Sequence, residues 1–126
     1  MNADSASLPI VAIPMGDPAG IGPEVTIKAL YHPEIYEVAR PMVVGDARWL
    51  SRSPGWRGEP KIVKVKNPRG IAPEPGVLYV LDMNDVPENL KVAEVSVAGG
   101  KAAINYLTTA VNLAVAGEVD AVASAP

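Results

Sequence analysis

The 126-residue chain has no cysteine, no phenylalanine and a single histidine, His32. Without thiols there can be no disulfide, no thiolate nucleophile and no cysteine-ligated zinc, which is compatible with a reducing cytoplasm. One imidazole cannot assemble a three-ligand metal centre, and His32, directly before Pro33, reads as a solvated loop residue. No apolar run approaches the ~20 residues of a membrane span, and the start, MNADSASLP, lacks the basic and apolar regions of a secretory signal. Positive charge is not in excess either. Eleven Lys and Arg against fourteen Asp and Glu leave a net charge of -3, so neither nucleic acid nor an anionic membrane is an expected partner. The expectation is a soluble cytoplasmic protein that meets a small molecule.

What is present is 48% hydrophobic residues, drawn from Ala, Val, Ile and Leu. That is enough for one compact core of small branched side chains, and it suits layered α/β structure better than a β-sandwich. The run PIVAIPM, Pro9 to Met15, is nearly all apolar and reads as a strand buried on both faces. PEVTIKALY, Pro23 to Tyr31, has Pro and Glu where a helix begins and Val25, Ile27 and Leu30 near one face. PMVVGD (Pro41 to Asp46), KIVKV (Lys61 to Val65) and VLYVLD (Val77 to Asp82) read as further strands, with ARWLSR as a short helix after the first of them. Pro/Gly-rich stretches over 53–60 and 67–76 read as loops. Residues 84–97 carry no decisive pattern.

A long helix is expected from about Gly100, where Ala103, Ile104, Leu107, Ala110, Val111, Ala114 and Val115 recur at three- and four-residue steps until Gly117, so that it should lie flat on a sheet. DAVASAP, Asp120 to Pro126, reads as a last strand. Strands alternating with helices imply a largely parallel sheet flanked by helices.

The most distinctive stretch is MGDPAGIGPEV, residues 15 to 25, a glycine-rich turn between the first strand and the first helix. It is not a complete dinucleotide fingerprint: Gly20 and Gly22 supply G-x-G, but Val25 stands where the third glycine belongs. A P-loop at Gly99 to Lys101 fails as well, with Val95 at its first glycine and Ala102 in place of the magnesium-binding hydroxyl. Two readings stay open for the turn. It is either a structural connection, or a place where a phosphate or carboxylate meets the free N–H groups of the helix that follows. Lys101 at the long helix's start is either a solvated lysine or an anion contact, and an Asp17/Glu24 carboxylate pair is disfavoured because Glu24 suits a helix start on structural grounds alone.

MGDPAGIGPEV resembles the N-terminal signature of the 4-hydroxythreonine-4-phosphate dehydrogenase family of vitamin B6 biosynthesis. VVGD after the second strand and GGKAAINYLTTAVNLAVAGEVDAVASAP at the end are similar to the family in the same order. The resemblance implies an α/β fold like that of isocitrate and isopropylmalate dehydrogenases. It also implies a homodimer, and an NAD(P)- and divalent-metal-dependent oxidation, with decarboxylation, of a 4-phosphorylated hydroxy acid. Gly16, Asp17, Gly20, Ile21 and Gly22 are then expected to line the cofactor cleft. Residues 1–126 would be the N-terminal α/β segment of a larger dehydrogenase, inactive alone, whose metal-binding histidines and His-Thr pair lie beyond Pro126. Two rival readings are a paralogue acting on D-threonate or D-erythronate 4-phosphate, and a non-catalytic domain that binds a nucleotide or phosphate.

Overall fold

The computed structural model describes residues 7–126. Five strands form one parallel sheet: β1 (Ile10–Pro14), β2 (Arg40–Gly45), β3 (Lys61–Val65), β4 (Val77–Asp82) and β5 (Ala121–Val122), in the spatial order β3-β4-β2-β1-β5. Helix α1 (Gly22–Ala29) follows β1, the single-turn α2 (Ala47–Leu50) follows β2, and α3 (Val97–Val115) follows β4; a short 3₁₀ turn spans Pro33–Glu37. The expected strands over 61–65 and 77–82 occur residue for residue. The last strand is regular over only two residues, but its main chain stays bonded to β1 from Asp120 (N–H to Ile10 O, 2.9 Å) to Ala125 (N–H to Pro14 O, 3.0 Å).

Parallel crossovers are right-handed. The steps from β1 to β2 and from β2 towards β3 therefore carry α1 and α2 over one face. The step from β4 to β5 runs the other way and carries α3 over the opposite face, where it packs on β1, β2 and β5. The central strand β2 is accordingly buried on both sides, with Met42, Val43 and Val44 fully enclosed. Connections diverge between β2 and β4, and the carboxyl ends of strands at such a divergence form the usual ligand crevice of an open α/β sheet. Two of the chain's own carboxylates lie at these strand ends. Buried Asp46 accepts from Trp49 N (3.0 Å) and Val86 N (3.0 Å), while Asp82 accepts from Ala47 N (2.9 Å).

Helix α3 departs from expectation in two respects. It begins at Val97, capped by Ser96, whose hydroxyl accepts from Gly99 N (3.0 Å). A serine cap outweighs the preference for starting after paired glycines, and Lys101 becomes the fifth helical residue, beyond the turn where the dipole opposes a cation. The face laid on the sheet is Gly99, Ala102, Tyr106 and Ala110, whereas Ile104, Leu107, Val111 and Val115 point outward. The helix is apolar around most of its circumference, so periodicity could not choose between the two faces. The choice falls to small residues that let the helix approach closely and to Tyr106, whose buried ring ends in a 2.6 Å hydrogen bond to Asp85.

Candidate functional site

The glycine turn leaves the carboxyl end of β1 and is held on three sides. Trp49 of α2 donates its indole N–H to Pro18 O (2.7 Å), and Ala93 N donates to Ala19 O (2.8 Å). The third support is the end of the last strand. Gly16 has a φ of +79°, and a side chain there would run into the main-chain carbonyl of Pro126; at Gly22 an added Cβ would meet the carbonyl oxygen of Met15 first and that of Pro126 at 2.6 Å. These two glycines are needed because another backbone occupies the space of their side chains.

Asp17 is half-buried and faces inward. Its carboxylate accepts from Ala19 N (2.8 Å), closing an Asx turn, and packs on Gly99 at the start of α3. A negative charge there complements the dipole of that helix. Glu24 lies apart from Asp17, paired with Lys28 at 2.7 Å. Of the five residues expected to line a cofactor cleft, only Gly20 and Ile21 are exposed. Ile21 precedes α1 without any side-chain cap, so the first-turn amides of that helix meet no capping side chain.

Behind Gly20 lies a cavity of about 220 Å³, lined by Pro18, Pro23, Trp49, Arg52 and Val92 among others. Sequence reasoning missed Trp49, Arg52 and Val92. The available signal was ARWLSR directly after the second strand, which puts a tryptophan one helical turn beyond a strand's carboxyl end. His32 is exposed and 3.4 Å from Glu34, away from the turn. Among the described residues no group of three or more His, Cys, Asp or Glu could hold a metal ion, and no helix is long and apolar enough to cross a membrane.

The family model for pyridoxal phosphate biosynthetic protein PdxA matches residues 37–126. This chain belongs to the PdxA family. It is 39% identical over 126 residues to a putative D-threonate 4-phosphate dehydrogenase of Oceanobacillus iheyensis and 36% identical over 120 residues to the D-threonate 4-phosphate dehydrogenase of Cupriavidus necator, covering 94% of this chain in each case. The crystal structure of a 4-hydroxythreonine-4-phosphate dehydrogenase from Burkholderia phymatum superposes with a TM-score of 0.86 at 37% identity over 93% of this chain. This chain spans 36% of the length of each of these proteins. The resemblance read from MGDPAGIGPEV, and the parallel α/β fold it implied, are both borne out.

Proposed function

We propose that this chain supplies the cofactor-binding turn of an NAD(P)-dependent dehydrogenase that oxidises a four-carbon, 4-phosphorylated hydroxy acid. The observation that carries this reading is the exposure of Gly20 and Ile21 at the uncapped start of α1, at the carboxyl end of a strand near the centre of a parallel sheet. Helix N-termini in that position favour the phosphates of a nucleotide. Gly20 and Ile21 are the residues a ligand would meet. Gly16, Asp17 and Gly22 act one layer behind, holding the turn against β5 and α3. Bound NAD(P) would accept a hydride from the substrate's secondary alcohol, whose hydroxyl proton passes to solvent, and the β-keto acid that results can lose carbon dioxide. The resemblance also implies a divalent metal ion, whose ligands would come from polypeptide outside the described residues.

The leading substrate is 4-hydroxythreonine 4-phosphate, within vitamin B6 biosynthesis in a cytoplasmic homodimer. The names of the curated relatives favour D-threonate 4-phosphate as a second reading, with D-erythronate 4-phosphate beside it. The test uses the native polypeptide that carries this chain. NADH binding is followed by quenching of tryptophan emission, since Trp49 touches the turn, and reduction of NAD⁺ and NADP⁺ is assayed with the three acids. Turnover of one acid is expected. Saturable NADH binding without turnover of any acid would identify a non-catalytic nucleotide-binding protein, and absence of binding would overturn the reading of the turn.

A further inference from the structure

The cavity behind Gly20 combines apolar walls with one uncommitted cation. Pro18, Pro23, Trp49, Pro54 and Val92 supply the walls, and Arg52, whose side chain is half exposed, completes the lining. The walls are stiff. Trp49 is fixed by the bond from its indole N–H to Pro18 O (2.7 Å), and three prolines restrict the chain around it. An apolar cavity of about 150 Å³ accepts benzene. The volume of about 220 Å³ behind Gly20 holds a ring of that size with a substituent.

The polar groups around the cavity are already used, with one exception. Glu24, the only acid in the lining, is paired with Lys28 at 2.7 Å. Ser53 donates its hydroxyl to Trp49 O (2.9 Å). The Arg52 guanidinium comes no nearer than 4.0 Å to Glu88, and the same oxygen of Glu88 is taken by Arg48 at 3.1 Å. Among the described residues, then, Arg52 has no acceptor within hydrogen-bond distance of its guanidinium. That group is a planar fork of N–H donors, which matches the paired oxygens of a carboxylate or phosphate.

We infer that this cavity binds a small flat ring bearing one carboxylate or phosphate, with the ring against Trp49 and the anion on Arg52. Mostly apolar walls with a few placed polar groups are the usual make-up of small-molecule sites. Charge complementarity selects the anion, because a neutral ring would fill the same space and leave the Arg52 donors unused. The inference needs only the cavity and the free guanidinium, and it stands independently of the NAD(P) reading of the turn.

The experiment follows the indole N–H signals of Trp49 and Trp56 by NMR in the native polypeptide that carries residues 1–126, titrated with benzoate, phenyl phosphate and uncharged benzyl alcohol. Trp56, whose N–H is bonded to Pro60 O (3.0 Å) outside the cavity, is the internal control. Saturable shifts of Trp49 alone are expected, with the better of the two anions binding about tenfold or more tighter than benzyl alcohol. Arg52→Gln should abolish that preference at an unchanged melting temperature, and Arg52→Lys, which keeps the charge without the fork, should lose less of it. Anions that bind no tighter than benzyl alcohol, a preference that survives Arg52→Gln, or shifts at Trp56 in place of Trp49 overturn the proposal. So does strict competition between benzoate and NADH, which would make the cavity part of the cofactor site.

Discussion

The carboxylate of Asp17 lies against the α carbon of Gly99, so closely that a Cβ on Gly99 would stand 2.5 Å from Oδ1 and 3.0 Å from the carboxyl carbon. One contact thus joins the first turn of the fold to the start of its longest helix. Alanine in a helix interior usually gains roughly 0.5–1 kcal/mol over glycine. Gly100→Ala should show that gain, because nothing lies within 4 Å of its added methyl group. Gly99→Ala should not, since Asp17 must move and give up its bond to Ala19. Combined with Asp17→Ala, the gain should return. Urea unfolding of the four variants measures this coupling, expected at about 1 kcal/mol; strict additivity would contradict the packing.

Gly16→Ala and Gly22→Ala should each cost roughly 2 kcal/mol or more, because the obstacle is main chain that cannot rotate aside. Gly20→Ala separates ligand approach from folding. Its added Cβ would meet only Asp17, at 3.4 Å from the main-chain oxygen, so stability should change by less than about 0.5 kcal/mol. NADH affinity of the native polypeptide should fall about tenfold, 1.4 kcal/mol. Thermal melts and fluorescence titration on the same samples decide between a binding turn and a purely structural one.

Removing the Asp46 carboxylate should be among the most damaging single changes near the strand ends. Asp46→Ala strands the Trp49 and Val86 amides in a fully buried place, at a cost of about 2–3 kcal/mol. Asp46→Asn keeps one acceptor oxygen and should cost less. Chemical denaturation of both variants tests the order.

Tyr106 makes the fold sensitive to alkali. Burial, and then its hydrogen bond to Asp85, push the phenol's pKa well above its ordinary value of 10; burial raises that of Tyr36 as well. The unfolded chain therefore loses protons near pH 10 while the folded chain keeps them. Stability is fully present below pH 10 and falls as the pH rises beyond it. Tyr106→Phe should be less stable at neutral pH, having removed the donor to Asp85 Oδ1, yet lose stability less steeply from pH 10 to 11.5. Equal slopes for the two proteins would remove Tyr106 from the account.

The order of elements, the parallel sheet and the family were legible in the sequence. Strands such as PIVAIP and PMVVG are short apolar runs between breakers, although only the second is buried along nearly its whole length, and MGDPAGIGPEV is a long, unusual match. The glycine turn was legible as a turn, but the division of labour inside it was not. That Gly16 must leave room for another backbone depends on where Pro126 arrives from 110 residues away, after the sheet has set the register of β5 on β1. The inward packing of Asp17 likewise needs Gly99, a partner remote in sequence. Local composition specifies which residues can turn, cap or enter a strand. Contacts between distant segments decide which of those residues remain free to meet a ligand, because the same residue types serve packing and binding alike.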